Sequence, residues 1–302
     1  MTKTALILGA SGRFGRNAAE QFTNAGWTVR RFDRARDDLN TASKGVDVIV
    51  NGWNPDYPDW QKLVPDLTAK VIAAAKVSGA TVIIPGNVYV FGADTPGPWS
   101  QTTPHNAANP LGRIRIDMEA TFRRSGVRCV VLRAGDFIDT RASGNWLDLV
   151  MLKTLGKGVF TYPGSQDIDH AWAYLPDLCR AAVELADMRD QLPAFADIPF
   201  PGFTASGSEV AAQIRTLTES GVRLKQMSWL PMQIARPFWR LGACLLEMRY
   251  LWNTPHQLDG ALFDSLLPEF RATPLSEALA AALPAGSVQR QINPDQPVTA
   301  GG

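Results

Sequence analysis

An α/β protein, built on a doubly wound parallel sheet with a smaller C-terminal substrate subdomain, is what the sequence predicts, and three features carry that expectation. In the first half of the chain, short β-branched and apolar runs alternate with helical stretches, as parallel strands joined by crossover helices require. These runs are apolar at nearly every position, which suits strands covered on both faces. Glycines stand just past the helical stretches, where a left-handed residue lets the chain leave a helix.

The elements follow in chain order. Thr4 to Leu8 is the first strand, Arg13 to Ala25 a helix closed by Gly26, Thr28 to Phe32 the second strand and Val46 to Asn51 the third. Asp66 to Ser78 reads as a helix ending at Gly79, and Thr81 to Pro85 as the fourth strand. Pro110 to Ser125 is a helix with proline in its first turn and Gly126 at its end, and Val127 to Leu132 is the fifth strand. Beyond Gly135 the rhythm weakens to helices at Leu178 to Asp187 and Ser208 to Glu219, with a strand near Ala194 to Ile198. The expected division is a first domain over residues 1–180 and a smaller, interleaved substrate-binding subdomain over 181–302. The tail from Pro284 is expected to fray.

Composition narrows the function. The 302 residues carry 30 basic and 29 acidic side chains, a net charge of +1, so the basic excess needed to bind a nucleic-acid backbone is missing. Cys129, Cys179 and Cys244 are odd in number and lack C-x-x-C spacing, which fits a reducing cytoplasm better than a disulfide framework or a zinc cage. The apolar run before Gly9 is too short for a signal-peptide core or a membrane span. Trp229 to Trp252 is rich in Trp, Leu and Met, but Pro231, Arg236, Pro237, Arg240, Glu247 and Arg249 interrupt it. It reads as a buried or partner-facing segment, and no membrane partner is expected.

The strongest chemical signal is Gly9-Ala10-Ser11-Gly12-Arg13-Phe14-Gly15, between the first strand and the first helix. Glycines there permit a tight turn, a close backbone approach to a pyrophosphate and close helix–strand packing, while the helix N-terminus supplies unpaired N–H groups. The predicted ligand is a dinucleotide. At the end of the second strand Asp33 can accept the 2′-hydroxyl of NAD, whereas Arg13, Arg31 and Arg34 can hold the 2′-phosphate of NADP. The balance leans slightly to NADP.

The glycine turn, Asp38-Leu39 after the second strand, and Pro85-Gly86-Asn87-Val88-Tyr89-Val90-Phe91-Gly92 together resemble the extended and atypical short-chain dehydrogenase/reductases, in particular the NAD(P)-dependent epimerase/dehydratase branch. Val131 to Gly135 and Tyr174 to Leu178 match later landmarks of that family, so the resemblance covers about residues 1–180. It implies a Rossmann-type NAD(P)-binding domain with a small-molecule substrate, a nucleotide sugar or a related carbonyl or hydroxyl compound, and commonly a homodimer. It also implies that Asp38 lies against the adenine, that Asn51, Gly52 and Trp53 line the cofactor, and that Arg133 lies near the nicotinamide.

The family's catalytic set is degenerate. Its Ser or Thr is Asn87 here, its Tyr is Leu111 and its Lys is Arg115. Leu111 cannot donate a proton, and Arg115 is a fixed cation that can still hydrogen-bond a ribose. Tyr89 and His170 are the candidate replacements, each weighed against a packed aromatic and a structural histidine. No set of side chains has metal-site spacing. Two functions stand: an oxidoreductase or epimerase with a non-standard acid/base set, or a catalytically inactive NAD(P)-binding regulator. The long loop from Gly92 to Asn109 is expected to border the pocket, with Trp53, Trp146 and Trp172 as aromatic lining.

Overall fold

The computed structural model describes residues 2–218, 221–284 and 286–287. Its first half runs β1 (Thr4–Leu8), α1 (Arg13–Asn24), β2 (Thr28–Arg31), α2 (Leu39–Ala42), β3 (Val48–Asn51), α3 (Trp60–Ser78), β4 (Thr81–Asn87), α4 (Pro110–Ser125) and β5 (Cys129–Ala134). Then follow β6 (Asp136–Ile138), β7 (Val159–Tyr162), β8 (Ala171–Tyr174), α5 (Leu175–Asp187), β9 (Phe195–Pro199), β10 (Phe203–Thr204), α6 (Gly207–Thr218) and β11 (Arg223–Gln226). The last part contains α7 (Leu230–Ala235), α8 (Arg240–Glu247), α9 (Ala261–Leu266) and α10 (Leu275–Ala282).

Six strands form one parallel sheet in the order β2-β1-β3-β4-β5-β9. Side chains alternate across it. Ala5 and Ile7 of β1 face a layer with Phe14, Ala18 and Phe22 of α1 and Leu178, Ala182 and Leu185 of α5. Leu6 and Leu8 face the opposite layer, with Val71 and Ala75 of α3 and Met118 and Phe122 of α4. Each fully buried Phe or Leu in these layers contributes about 1.5–3 kcal/mol through removal from water. The helices stop where glycine was expected to stop them: Gly79 and Gly126 are left-handed C-caps, at φ 72° and 75°.

The sixth strand departs from the sequence-based division. β9 lies beyond residue 180, yet it pairs with β5 inside the main sheet, from Cys129 opposite Phe195 to Arg133 opposite Pro199. The chain therefore leaves the sheet after β5, builds part of the smaller lobe and returns. That lobe holds the sheets β10-β8-β6 and β11-β7 around Leu147, Phe160, Trp172, Val210, Ile214 and Trp252. α3 also starts earlier than expected, at Trp60, because Trp60 itself packs into the core at 1% exposure. The tail expected to fray lies, from residue 288, outside the described residues, as does Glu219. No helix among the described residues is long and apolar enough to cross a membrane.

Candidate functional site

In an open parallel sheet, ligands bind beyond the C-terminal ends of the strands, where the strand order reverses. Here that point is the crevice between β1 and β3, and glycine lines it. Gly9 has φ 72°, and a Cβ on it would lie 2.8 Å from the Gly52 carbonyl oxygen. A Cβ on Gly15 would lie 2.2 Å from the Gly9 oxygen, and one on Gly52 would lie 2.7 Å from the Leu8 oxygen. Three backbones meet where no side chain fits. Gly12 caps α1 without a side chain, so the first-turn N–H groups of Arg13, Phe14 and Gly15 have no side-chain cap, and exposed Ser11 stands beside them. With the positive end of α1 behind them, these groups form a cradle for a phosphate. Phe14 contributes only its backbone, since its ring is buried in the core.

The space beyond β2 and β3 is more polar. A cavity of about 410 Å³ beyond β2 and β3 is lined by Arg34, Asp38, Leu39, Trp53 and Lys70, among others. Asp38 caps α2 by accepting the Thr41 N–H at 2.8 Å, and that hydrogen bonding holds its carboxyl below the usual range. The Asp33 carboxylate is partly engaged by its own turn, accepting the Ala35 N–H at 2.9 Å and facing Arg36 at 3.5 Å. Arg13, expected as a phosphate ligand here, instead donates to the Gly144 carbonyl at 3.0 Å and links the glycine turn to the smaller lobe. Asn51 turns its side-chain oxygen to the Trp53 N–H at 3.4 Å.

At the start of α4, Leu111 is 3% exposed and part of the core, so no proton donor stands at that helix position. A pair of phenols stands nearby. The Tyr57 and Tyr89 hydroxyls share a 2.6 Å hydrogen bond in which either can donate. Burial raises both phenol pKa values, Tyr89 strongly, so both hold their protons at neutral pH. Arg115 lies over the Trp60 ring at 5.4 Å and donates to the Pro85 carbonyl at 2.9 Å. Burial lowers its pKa, and its charge acts on both tyrosines. Asp136 also acts on both and is held by His170 at 2.8 Å.

Tyr57 was not anticipated. Its position in Asn54-Pro55-Asp56-Tyr57-Pro58, just past the end of β3, is the signal that could have found it. His170 is 1% exposed and stacked on Trp252 at 4.4 Å, so it stands behind Asp136 and orients that carboxylate. Asn87 caps the turn of Tyr89, its side-chain oxygen accepting the Tyr89 N–H at 3.1 Å. Trp99 anchors the Gly92 to Asn109 loop: it is fully buried between Phe91 and His256, and it donates its backbone N–H to Gln257 O at 2.9 Å. Trp172 is core, while Trp146 packs against Trp229 and Trp252.

Arg133 is a correction. Expected at the nicotinamide, it is fully buried, and its five N–H donors are all committed: Nε and Nη2 to Asp197, Nη1 and Nη2 to Glu119, and Nη1 to the Asn87 carbonyl. It has no donor left for a cofactor and instead supports the end of β4 from beneath. Burial pushes Asp197 up, but Arg133 and His105 outweigh it and hold the carboxyl below its usual range. His105, Glu119 and Asp197 are the one trio among the described residues close enough to share a metal ion, but Arg133 already neutralises both carboxylates.

No protein-family model matches the chain, and no curated protein matches it in sequence. Solved structures do match in shape. MoeE5 in complex with UDP-glucose and NAD aligns with a TM-score of 0.69 at 18% identity, over 93% of this chain and 97% of that one. UDP-glucose 4-epimerase from Brucella ovis in complex with NAD aligns with a TM-score of 0.68 at 16% identity, over 93% and 97%. The GalE-like L-threonine dehydrogenase from Cupriavidus necator, in its apo form, aligns with a TM-score of 0.69 at 19% identity, over 93% and 98%. At such identities the likeness is one of fold, and the chain has the Rossmann-type α/β fold that these epimerases and dehydrogenases share.

Proposed function

We propose that this chain binds NAD(P) in the β1–β3 crevice and catalyses oxidoreduction or epimerisation of a small hydroxyl or carbonyl compound, with the Tyr57–Tyr89 pair in place of the family's tyrosine. The observation that carries the reading is the contact of Gly9, Gly15 and Gly52, which leaves the α1 N-terminus bare where a pyrophosphate would lie. When bound, the nicotinamide supplies hydride exchange. The chain's own part is to seat the phosphates on the first-turn N–H groups and to offer a protonated phenol beside Asp136. MoeE5 and the Brucella epimerase make nucleotide sugars the first substrate class to test. NADP is favoured over NAD because Asp33 is engaged by its own turn while Arg34 lines the cavity.

Titration with NADPH and NADH, followed by tryptophan quenching, tests the cofactor. Saturable binding is expected, abolished by Gly12→Val, with Arg34→Ala weakening NADPH more than NADH. Binding retained in a folded Gly12→Val variant would remove the cofactor assignment. Turnover across a nucleotide-sugar panel then tests the enzyme, and tight cofactor binding without turnover of any panel member would favour the regulator.

A further inference from the structure

Among the described residues, seven large apolar side chains are strongly exposed, and five of them lie within twelve residues: Leu230 at 59%, Ile234 at 70%, Phe238 at 94%, Trp239 at 40% and Leu241 at 38%. They occupy α7, α8 and the turn between them. Single exposed apolar residues need no explanation, but a cluster of this kind marks a contact surface. Its sequence is rich in cations. Arg223, Lys225, Arg236 and Arg240 fall between Gly221 and Leu246, and no Asp or Glu does, in a chain whose overall charges nearly cancel. Arg236 and Arg240 are exposed on the same hairpin.

Exposed Phe, Trp, Ile and Leu beside the exposed Arg236 and Arg240, the second of which pairs with Asp59 at 3.5 Å, have the chemistry of an interfacial membrane contact: apolar groups enter the acyl boundary while guanidinium groups meet anionic headgroups. The place of the hairpin adds meaning. At the start of α8 Arg240 donates to the Pro58 carbonyl at 2.9 Å, next to Tyr57. At its end, Glu247 accepts the Leu111 N–H at 2.7 Å at the start of α4. The hairpin thus joins two walls of the candidate site.

We infer that the α7–α8 hairpin docks this protein peripherally on an anionic lipid surface, with the candidate site facing the bilayer. Such a contact crosses nothing, so it agrees with the lack of a spanning helix.

The test is co-sedimentation of the full chain with vesicles of phosphatidylglycerol and phosphatidylcholine, against vesicles of phosphatidylcholine alone, with a paired Ile234→Ser, Phe238→Ser variant and an Arg236→Gln variant. Binding to the anionic vesicles is expected, reduced by high salt. The paired variant should lose it about tenfold or more, given the transfer free energy of two apolar side chains, and Arg236→Gln should lose it partly. Circular dichroism and melting temperature show that the variants are folded. No binding of the folded parent to anionic vesicles overturns the proposal, as does binding that the paired variant keeps. A parent that self-associates on a sizing column and becomes monomeric in the paired variant, without vesicle binding, assigns the patch to a second copy of the chain instead.

Discussion

Tyr89, in the turn after β4, and Arg133, in the adjacent β5, show how differently two neighbouring polar residues can be used. The Tyr89 hydroxyl meets Tyr57 at 2.6 Å beside the cleft, so removing it should affect chemistry more than stability. Tyr89→Phe is expected to lower kcat by about 10² to 10⁴, the usual size of general acid–base help, with little change in cofactor affinity. Steady-state kinetics beside a cofactor titration check this, and unchanged kcat would exclude Tyr89 as the proton donor. Arg133 is the opposite case. Arg133→Met leaves Glu119 and Asp197 buried without their cation and should cost about 3–5 kcal/mol in denaturant unfolding. A loss below 1 kcal/mol, on the order of an exposed ion pair, would show that the network is dispensable.

Among the elements, the glycine turn was legible because its spacing is dictated by contact. Gly15→Ala puts a methyl group where the Gly9 carbonyl stands, 2.2 Å away, and should both destabilise the fold and weaken NADPH binding; Gly12→Ala, with 3.3 Å to the same oxygen, should fold normally. Melting temperatures of the two variants separate these outcomes, and equal effects would mean that the turn relaxes freely. The strands and their closing glycines were equally readable, since buried parallel strands are apolar throughout and a left-handed C-cap favours glycine. β9 was visible as a strand but not as part of the sheet, because its partner β5 is more than 60 residues away and no local pattern records that pairing. Tyr57 escaped for a related reason: its use depends on a hydroxyl 32 residues distant. Arg133 misled because a family position gives a backbone location and says nothing of which buried carboxylates claim the side chain.

For the molecule as a whole, stability should depend on acid through His256. Burial pushes its pKa down to about 3 from 6.5, with His170 adding to the effect, and its Nε2 is buried without a partner. The folded protein therefore keeps His256 neutral where the unfolded chain protonates it. Between pH 6.5 and 3 the unfolded state binds more protons, so stability should fall as pH drops, by up to about 1.4 kcal/mol per pH unit for this one group. His256→Gln should flatten that slope in urea titrations at several pH values, and an unchanged slope would show that His256 is not its source. Because the Trp99 loop and His256 join the β4–α4 connection to the smaller lobe, this acid sensitivity should be felt by both lobes together.

The contact between Glu247 and the start of α4 carries a further consequence. Asn109 at that helix start makes no cap of its own with its side chain; Glu247, more than 130 residues later, accepts both the Asn109 side-chain N–H and the Leu111 N–H. With β9 also arriving late, a fragment ending at residue 180 would lack its sheet edge and the cap on the helix that carries Arg115. The two lobes are thus not interchangeable modules. Cut into separate polypeptides, they would have to rebuild the site by association, and any recovered cofactor binding would rise with the concentration of both pieces rather than reside in either.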